Sequence, residues 1–181
     1  KPVADAKNIT ITVTPCDEEE NPVDPPILMD GDKGQLGQVF NNLLSNAIKF
    51  NEPGGSININ VEVRNRTAYV AVSDTGIGIP EDALDKVFSR FYQVDSSSTR
   101  KYGGTGIGLA IAQDIVRLHG SRLTVSSKLG QGATFRFSLA IARPDRDDYD
   151  ENARLTTPLE THLIVELVTQ DRALATQIRS L

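Results

Sequence analysis

The chain has 181 residues, 39% of them hydrophobic, which is typical of one globular domain with a short extension. Its 24 acidic and 19 basic side chains give a net charge of −5 without a basic stripe, so no nucleic-acid partner is expected. The longest apolar run is far short of the ~20 residues that span a bilayer, so we expect no direct membrane contact by this chain. Its single cysteine, Cys16, favours the cytoplasm, where thiols stay reduced.

Periodicity predicts the first half of the chain. Residues 9–13 alternate apolar and polar side chains, as a half-buried strand does, and the proline-rich residues 17–26 suit a surface loop. An amphipathic helix is indicated by apolar residues three and four apart, namely Leu36, Val39, Phe40, Leu43, Leu44, Ala47 and Ile48. Alternation resumes at residues 57–63 and 69–72, which predicts a hairpin.

The second half predicts two more helices and two more strands. Pro80 suits a first helical turn, and Leu84, Val87, Phe88 and Phe91 follow at helical spacing. Residues 92–103 are polar and predict a mobile loop, and a third helix is predicted over 105–119, with Gly120 as its left-handed stop. That helix would bury Ile107, Ile111, Ile115 and Leu118. Residues 123–126 and 133–141 predict strands.

Five strands and three helices predict an α+β fold, a two-layer α/β sandwich whose mixed sheet is covered on one face by the helices. The domain is expected to occupy residues 1–142. The polar, charged residues 143–160 indicate a linker. Residues 161–181, with an apolar run at 163–168 and a helical pattern at 172–181, indicate either the truncated start of a second domain or a strand and helix that pack on the first.

Three polar clusters could carry chemistry. On the first predicted helix, Asn42, Asn46 and Lys49 share one flank, which is either a solvated face or a site for hydrated Mg²⁺ and phosphate. Asp74 ends a strand and precedes two glycines in DTGIGIP, where a carboxylate could accept a hydrogen bond from an exocyclic amine such as that of adenine. An ordinary strand-to-helix turn is the alternative.

The third cluster, GGTGIGL at residues 103–109, places glycines at the start of the third predicted helix. Free N–H groups and the positive end of a helix dipole bind anions there, and absent side chains let phosphates approach. The spacing matches neither a P-loop nor the dinucleotide-binding fingerprint. The cluster therefore predicts a phosphate site of another kind.

Together, QVFNNLLSNAIKF at 38–50, DTGIGIP at 74–80, VFSRF at 87–91 and GGTGIGLA at 103–110 resemble the N, G1, F and G2 boxes of sensor histidine kinases. The resemblance covers about residues 1–142. It implies the catalytic ATP-binding domain, with the Bergerat fold shared with Hsp90, gyrase B and MutL. The lid sequence resembles that of hybrid kinases, which implies that residues 161–181 are the truncated start of a receiver-like or pseudo-receiver domain. ATP and Mg²⁺ are the implied cofactors.

The resemblance also implies roles. Asn46 would coordinate Mg²⁺, Asn42 would support it, Lys49 would contact phosphate, and Asp74 would bind the adenine amino group. The adenine pocket would include Phe50, Gly76, Gly78 and Thr134, and the phosphates would meet Gly104, Gly106 and Gly108. Further nucleotide-binding candidates within or beside the motifs are Ile79, Tyr92, Arg100, Thr105, Ile107 and Leu109.

The chain departs from the family pattern at several points. Gln93 stands where many members have an arginine in the ATP lid, so Arg100 or Lys101 would have to supply that charge. No phosphoacceptor motif is present, and we interpret His119 and His162 as structural residues. The substrate histidine would lie on upstream dimerisation helices, and a response regulator or receiver domain would be the further partner. A longer protein could still carry a membrane anchor.

Three alternatives stay open. A GHKL-type ATPase would hydrolyse ATP in the same pocket, an anti-sigma-like kinase would phosphorylate serine, and a pseudokinase would bind ATP without transfer. The F box between the two glycine clusters and the short lid argue against the ATPase, and the presence of Asn46, Asp74 and the glycines at 103–108 argues against the pseudokinase. The three alternatives differ in the fate of the γ-phosphate.

Overall fold

The computed structural model describes residues 7–17, 19, 21–22, 27–94 and 104–141, and the backbone of 159–160. Several predicted segments lie outside these residues: much of the 17–26 loop, most of the 92–103 loop with Arg100, nearly all of the 143–160 linker, and residues 161–181 with His162.

In chain order the elements are β1 (Thr10–Asp17), β2 (Leu28–Met29), α1 (Lys33–Lys49), β3 (Ser56–Arg64), β4 (Thr67–Asp74), a 3-10 helix (Glu81–Ala83), α2 (Gly108–Leu118), β5 (Thr124–Ser127), β6 (Ala133–Ala140) and β7 (Leu159–Glu160). Five strands form one sheet in the order β1-β3-β4-β6-β5. The β1–β3 pair is parallel and the other pairs are antiparallel. The predicted mixed sheet of five strands is therefore confirmed.

The core lies between one face of this sheet and the two helices. All seven apolar positions predicted for the first helix are buried on α1. On the sheet side, strands β3, β4 and β6 bury alternate residues, as the period of two requires. Phe40 of α1 meets Phe137 of β6 edge to face, with ring centroids 5.7 Å apart. At the edge of the sheet, β1 contains Pro15 within its run.

The prediction of a helix after Pro80 is wrong. The segment forms the three-residue 3-10 helix and then a series of turns, in which the Leu84 N–H donates to the Glu81 carbonyl (3.2 Å). Phe91 ends the segment with a positive φ of 66° and is 73% exposed, so it leaves the expected apolar face. A three-residue turn repeats apolar residues almost as a helix does, which explains the error.

The third predicted helix exists but is shorter. It begins at Gly108 rather than residue 105, because Gly106 has a φ of 67°, which no right-handed helix contains. Leu118, predicted to be buried, is 77% exposed, and the buried side is formed by Ala110, Ala112, Ile115 and Val116. The predicted stop is present: Gly120 has a φ of 73° and its N–H donates to the Arg117 carbonyl (3.0 Å).

One small sheet was not predicted. In it, β2 pairs antiparallel with β7, and Met29 also forms a bridge with Ile141. Met29 is completely buried, so β2 contributes to the core despite its length. A two-residue strand carries too little pattern to be recognised in a sequence. Within the described part of the chain, no helix is long and apolar enough to cross a bilayer.

His119 joins the ends of the two helices. Its Nε2 accepts a hydrogen bond from the Asp32 N–H (3.0 Å), while Nδ1 lies 2.9 Å from the Ile115 carbonyl, to which it donates. Asp32 in turn caps α1, since its Oδ1 accepts from the Gln35 N–H (2.7 Å). These bonds agree with the structural role expected of this histidine.

We expect His119→Ala to lower the free energy of unfolding by about 1–3 kcal/mol, because it leaves the Asp32 N–H without its acceptor. Leu118→Ala, at the exposed neighbouring position, should change it by no more than about 0.5 kcal/mol. Urea denaturation of both variants measures the difference. Equal losses would show that the histidine bonds add nothing.

Candidate functional site

The polar flank of α1 contains a buried atom with an unused hydrogen-bonding capacity. Asn42 Nδ2 is buried and has no hydrogen-bond partner among the described residues. The first residue of α2, Gly108, lies so close that a Cβ there would be 3.0 Å from Asn42 Oδ1. Asn46 lies one turn further along α1 and is half-buried. A buried amide donor without a partner is costly, so this flank is suited to a polar ligand.

Lys49 ends the same helix. Its Nζ lies 4.7 Å from the centroid of the Phe50 ring, and a Cβ on Gly104 would approach it to 2.8 Å. Partial burial lowers the pKa of Lys49 below its usual value, because desolvation disfavours the charged form. The structure thus places a lysine at the glycine cluster, as the phosphate-site prediction requires.

Asp74 is the last residue of β4, and both of its hydrogen bonds to the backbone use one oxygen. Oδ1 accepts from the Gly76 N–H (2.8 Å) and from the Ala133 N–H (3.3 Å). Burial raises the pKa of Asp74, and these two hydrogen bonds oppose that effect only in part. The carboxylate is fixed through Oδ1, which leaves Oδ2 for a ligand donor. Sequence reasoning did not find the contribution of Ala133, since a backbone N–H has no side-chain signal.

Close backbone contacts hold the loop after Asp74. The Ile77 N–H donates to the Phe50 carbonyl (3.0 Å), and a Cβ on Gly76 would overlap that same carbonyl. Gly78 has a φ of 70°, and its Cβ would overlap the Lys128 carbonyl. Both predicted glycines are therefore required for the loop to pack between α1 and the β5–β6 turn.

Gly132 is a further glycine of this kind, and sequence reasoning did not assign it. It has a φ of 75°, is buried, and faces the Asp74 carbonyl so closely that a Cβ would overlap it. Its carbonyl accepts from Ser127 Oγ (2.6 Å), and that Oγ accepts from the N–H of Ile79 (2.8 Å). The signal available in the sequence was the GQG run at 130–132.

The residues before α2 approach the turn that ends at Tyr92. The Gly106 carbonyl accepts from the Phe91 N–H (2.8 Å), and a Cβ on Gly106 would lie 2.8 Å from the Tyr92 carbonyl oxygen. Thr105 is exposed, and Ile107 is the residue that precedes α2. Among the other candidates, Ile79 and Leu109 are partly buried and pack against the core.

The structure does not bring Thr134 to this group. Along β6 the odd-numbered residues are buried against the helices, whereas Thr134 belongs to the other face. Its hydroxyl donates to Ser73 Oγ (3.0 Å), which lies on that same outer face. Arg100 lies outside the described residues. The structure therefore brings three sets of residues together. Asn42 lies beside Gly108, Lys49 lies beside Phe50 and Gly104, and Asp74 lies beside Gly76 and Gly132.

The chain is similar in sequence to sensor histidine kinases. It is 41% identical over 130 residues to the sensor histidine kinase WalK of Bacillus subtilis (strain 168), covering 71% of this chain and 21% of WalK. It is 40% identical over 158 residues to the sensor histidine kinase AruS of Pseudomonas aeruginosa, covering 83% of this chain and 16% of AruS. The chain thus spans about a fifth of the length of these relatives.

Solved structures of the same class have the same fold. The mycobacterial sensor histidine kinase MprB matches with a TM-score of 0.60 and 28% identity, over 74% of this chain and 83% of that one. Full-length ShkA in complex with AMPPNP matches with a TM-score of 0.63 and 31% identity, over 78% of this chain and 28% of that one. The predicted resemblance to sensor histidine kinases is therefore confirmed.

The family described as "Histidine kinase-, DNA gyrase B-, and HSP90-like ATPase" matches residues 31–143, which is more than half of the chain. These residues contain the whole group assembled around Asn42, Lys49 and Asp74. The chain belongs to this family of histidine kinase-, DNA gyrase B- and HSP90-like ATPases, and it is an ATP-binding domain of the sensor histidine kinase type.

Proposed function

We propose that this domain binds ATP and Mg²⁺ and transfers the γ-phosphoryl group to a histidine on upstream dimerisation helices of the same protein. The observation that carries the proposal is the fixed Asp74 carboxylate, together with the Asn42 amide, whose buried Nδ2 has no hydrogen-bond partner among the described residues. The carboxylate can accept a hydrogen bond from a base, and the amide can donate one to a phosphate oxygen. A response regulator or receiver domain would be the next acceptor, and the cytoplasm the compartment.

Asp74 would accept a hydrogen bond from the exocyclic amine of adenine at Oδ2. Asp74 is partly buried, so a hydrogen bond that it accepts from a ligand lies in a partly dehydrated environment, where it is stronger than in water. Gly76 lies beside Asp74, since a Cβ there would be 2.9 Å from Asp74 Oδ1. Gly78 and Phe50 would complete the adenine pocket, because the Ile77 N–H donates to the Phe50 carbonyl and so joins the DTGIG loop to the end of α1. This arrangement supports selection of adenine over bases that lack an amine donor at that position.

The phosphates would lie toward Lys49 and the start of α2. The N–H groups of a helix's first turn carry partial positive charge, and Gly104, Gly106 and Gly108 leave the approach open. Lys49 adds a full positive charge beside Gly104. The unpartnered Nδ2 of Asn42 would donate to a ligand oxygen. Phosphoryl transfer demands mainly positioning and charge neutralisation, which these groups can supply.

The residues also fit a magnesium ion. Mg²⁺ prefers oxygen ligands and commonly takes only one or two from protein, with water and phosphate completing the shell. The described residues contain no cluster of three His, Cys, Asp or Glu side chains, so a metal held mainly by phosphate and water is the type that fits. Asn46 would supply one amide oxygen, and the ion when bound would neutralise phosphate charge.

Calorimetric titration with AMPPNP, with and without Mg²⁺, tests the binding proposal. We expect the affinity of Asn46→Ala in Mg²⁺ to fall about tenfold, to the value that the unsubstituted chain has without Mg²⁺, because one amide ligand is lost. The control is Ser45→Ala, since Ser45 is exposed on the same helix turn. A variant that keeps the full magnesium dependence would remove Asn46 from the metal site.

The fate of the phosphate tests the transfer proposal. A longer form of the protein that includes the upstream helices should acquire phosphate that is lost in acid, as phosphohistidine is. Acid-stable phosphate would indicate the serine kinase, and release of inorganic phosphate alone would indicate the ATPase. Binding with neither outcome would indicate the pseudokinase. The 181-residue chain should bind ATP without phosphorylating itself.

A further inference from the structure

Asn51 is a buried polar residue that the proposed function does not use. It follows α1 and is only 1% exposed. Its Nδ2 donates to the Ser56 carbonyl (3.0 Å), and its Oδ1 accepts from the Thr75 hydroxyl (3.2 Å) and the Glu52 N–H (3.1 Å). The amide therefore joins the end of α1, the start of β3 and the residue that follows Asp74.

Thr75 is held by hydrogen bonds that join both its side chain and its backbone to Ser56, in addition to its bond to Asn51. Its Oγ1 accepts from the Ser56 N–H (2.9 Å), and its own N–H donates to the Ser56 carbonyl (3.1 Å). Gly55 packs against both partners, since a Cβ there would overlap Asn51 Oδ1 and lie 2.9 Å from Thr75 Oγ1. Thr75 is the residue between Asp74 and Gly76, so these bonds fix the backbone on which the carboxylate stands.

Lys7 extends this group to the chain that precedes β1. Its side chain is buried, and Nζ donates to the carbonyls of Ile48 (3.3 Å), Lys49 (2.8 Å) and Asn51 (2.9 Å). A cation at the carboxyl end of a helix is favoured by the free carbonyls and by the helix dipole. We call Lys7, Asn51, Ser56 and Thr75 the Asn51 cluster.

We propose that Asn51 and Thr75 are positioning residues for adenine recognition, and that Lys7 ties the segment before β1 to the same site. The inference rests on the proposed function. Neither residue is assigned a contact with nucleotide: Thr75 acts through Asp74, and Asn51 acts through Thr75. With the hydroxyl of Thr75 removed, the Ser56 N–H and Asn51 Oδ1 each lose a partner. The backbone between Asp74 and Gly76 is then held less firmly, while the bonds from the Gly76 and Ala133 N–H groups to Asp74 Oδ1 remain.

The test measures the Kd for GDP divided by the Kd for ADP, using the full 181-residue chain. Thr75→Val keeps the shape of the side chain and removes the hydroxyl. We expect it to weaken ADP binding and to lower the ratio about fivefold, the value of one neutral hydrogen bond. Thr75→Ser should restore the ratio. The control is Thr12→Val, because Thr12 accepts from Asn58 Nδ2 (2.9 Å) at an exposed position of β1.

This ratio separates positioning from stability. Partial unfolding raises the apparent Kd for GDP and for ADP by the same factor, since both nucleotides bind only the folded fraction. The ratio of the two Kd values is therefore unchanged. An unchanged ratio in Thr75→Val would overturn the inference while the proposed function stands. Failure of the unsubstituted chain to bind ADP would overturn both. Should Thr75→Val not fold, the Kd ratio is measured in Lys7→Met, which changes the other end of the Asn51 cluster. Lys7→Arg should then restore the ratio.

Discussion

Asp74→Asn is expected to lower the affinity for ADP by about 100-fold, equivalent to roughly 3 kcal/mol for a buried polar contact that is lost and mispaired. The asparagine carbonyl can still accept from the Gly76 and Ala133 N–H groups, which directs its Nδ2 into the pocket. A donor would then face the donor of adenine. Titration with ADP measures the loss.

The same variant should be more stable without nucleotide. Burial raises the pKa of Asp74, so the folded chain holds this proton more tightly than the unfolded chain does. The stability from this group is fully present below the unfolded pKa and is lost as the pH rises through the folded pKa. Asparagine does not ionise, and we therefore expect a higher free energy of unfolding for Asp74→Asn at neutral pH.

Urea denaturation at neutral and acidic pH measures that second effect, and the gain should shrink as the pH falls. Asp82→Asn is the matched control, because Asp82 is an exposed carboxylate on the 3-10 helix. Unaltered ADP affinity in Asp74→Asn would contradict the assignment of the base-binding residue. A loss of stability at neutral pH would contradict the burial argument alone.

Of the substitutions proposed in this protein, Gly132→Ala should lower the free energy of unfolding the most. At a φ of 75° an alanine costs about 1–2 kcal/mol in backbone strain, and here its Cβ would also overlap the Asp74 carbonyl. We expect a total loss of about 3 kcal/mol or more, together with loss of ADP binding, because relief of the overlap displaces Asp74.

Two residues away, Gly130 provides a matched control for this substitution. Its φ is 77°, and a Cβ there meets nothing within 4 Å. Gly130→Ala should therefore cost only the backbone strain and leave ADP binding intact. Urea denaturation and ADP titration of both variants check the prediction. Equal effects at the two positions would show that strain, and not the overlap with Asp74, is what matters.

The sequence predicted those parts of the fold in which one pattern decides the outcome. The apolar positions from Leu36 to Ile48 have a helical period over several turns, and the hairpin at β3 and β4 alternates without interruption. Asp74 was predicted as a site residue because two glycines follow it, and Asn42 and Asn46 because they share one flank of a helix with Lys49. Periodicity thus suffices for the sandwich, and the motifs suffice to name candidate residues for the site.

What the sequence did not predict depends on contacts between distant segments. Leu118 has helical spacing but is exposed, and Phe91 is exposed in a turn with a positive φ, where its N–H donates to the Gly106 carbonyl. The contribution of Ala133 is a backbone N–H, and that of Asn51 is visible only once α1, β3 and the Asp74 loop are adjacent. Thr134 lies in a sequence that matches the family motif, but its side chain belongs to the face of β6 that points away from the helices.

The two edges of the main sheet have a consequence for self-association. A free sheet edge offers unpaired backbone groups to which another chain can add a strand. Here one edge is β1, which contains Pro15, and proline is tolerated in a strand where its missing N–H would face solvent. The opposite edge, β5, has only four residues. Among the described residues, neither edge offers a long, uninterrupted row of backbone donors, which disfavours the growth of intermolecular sheets at high protein concentration.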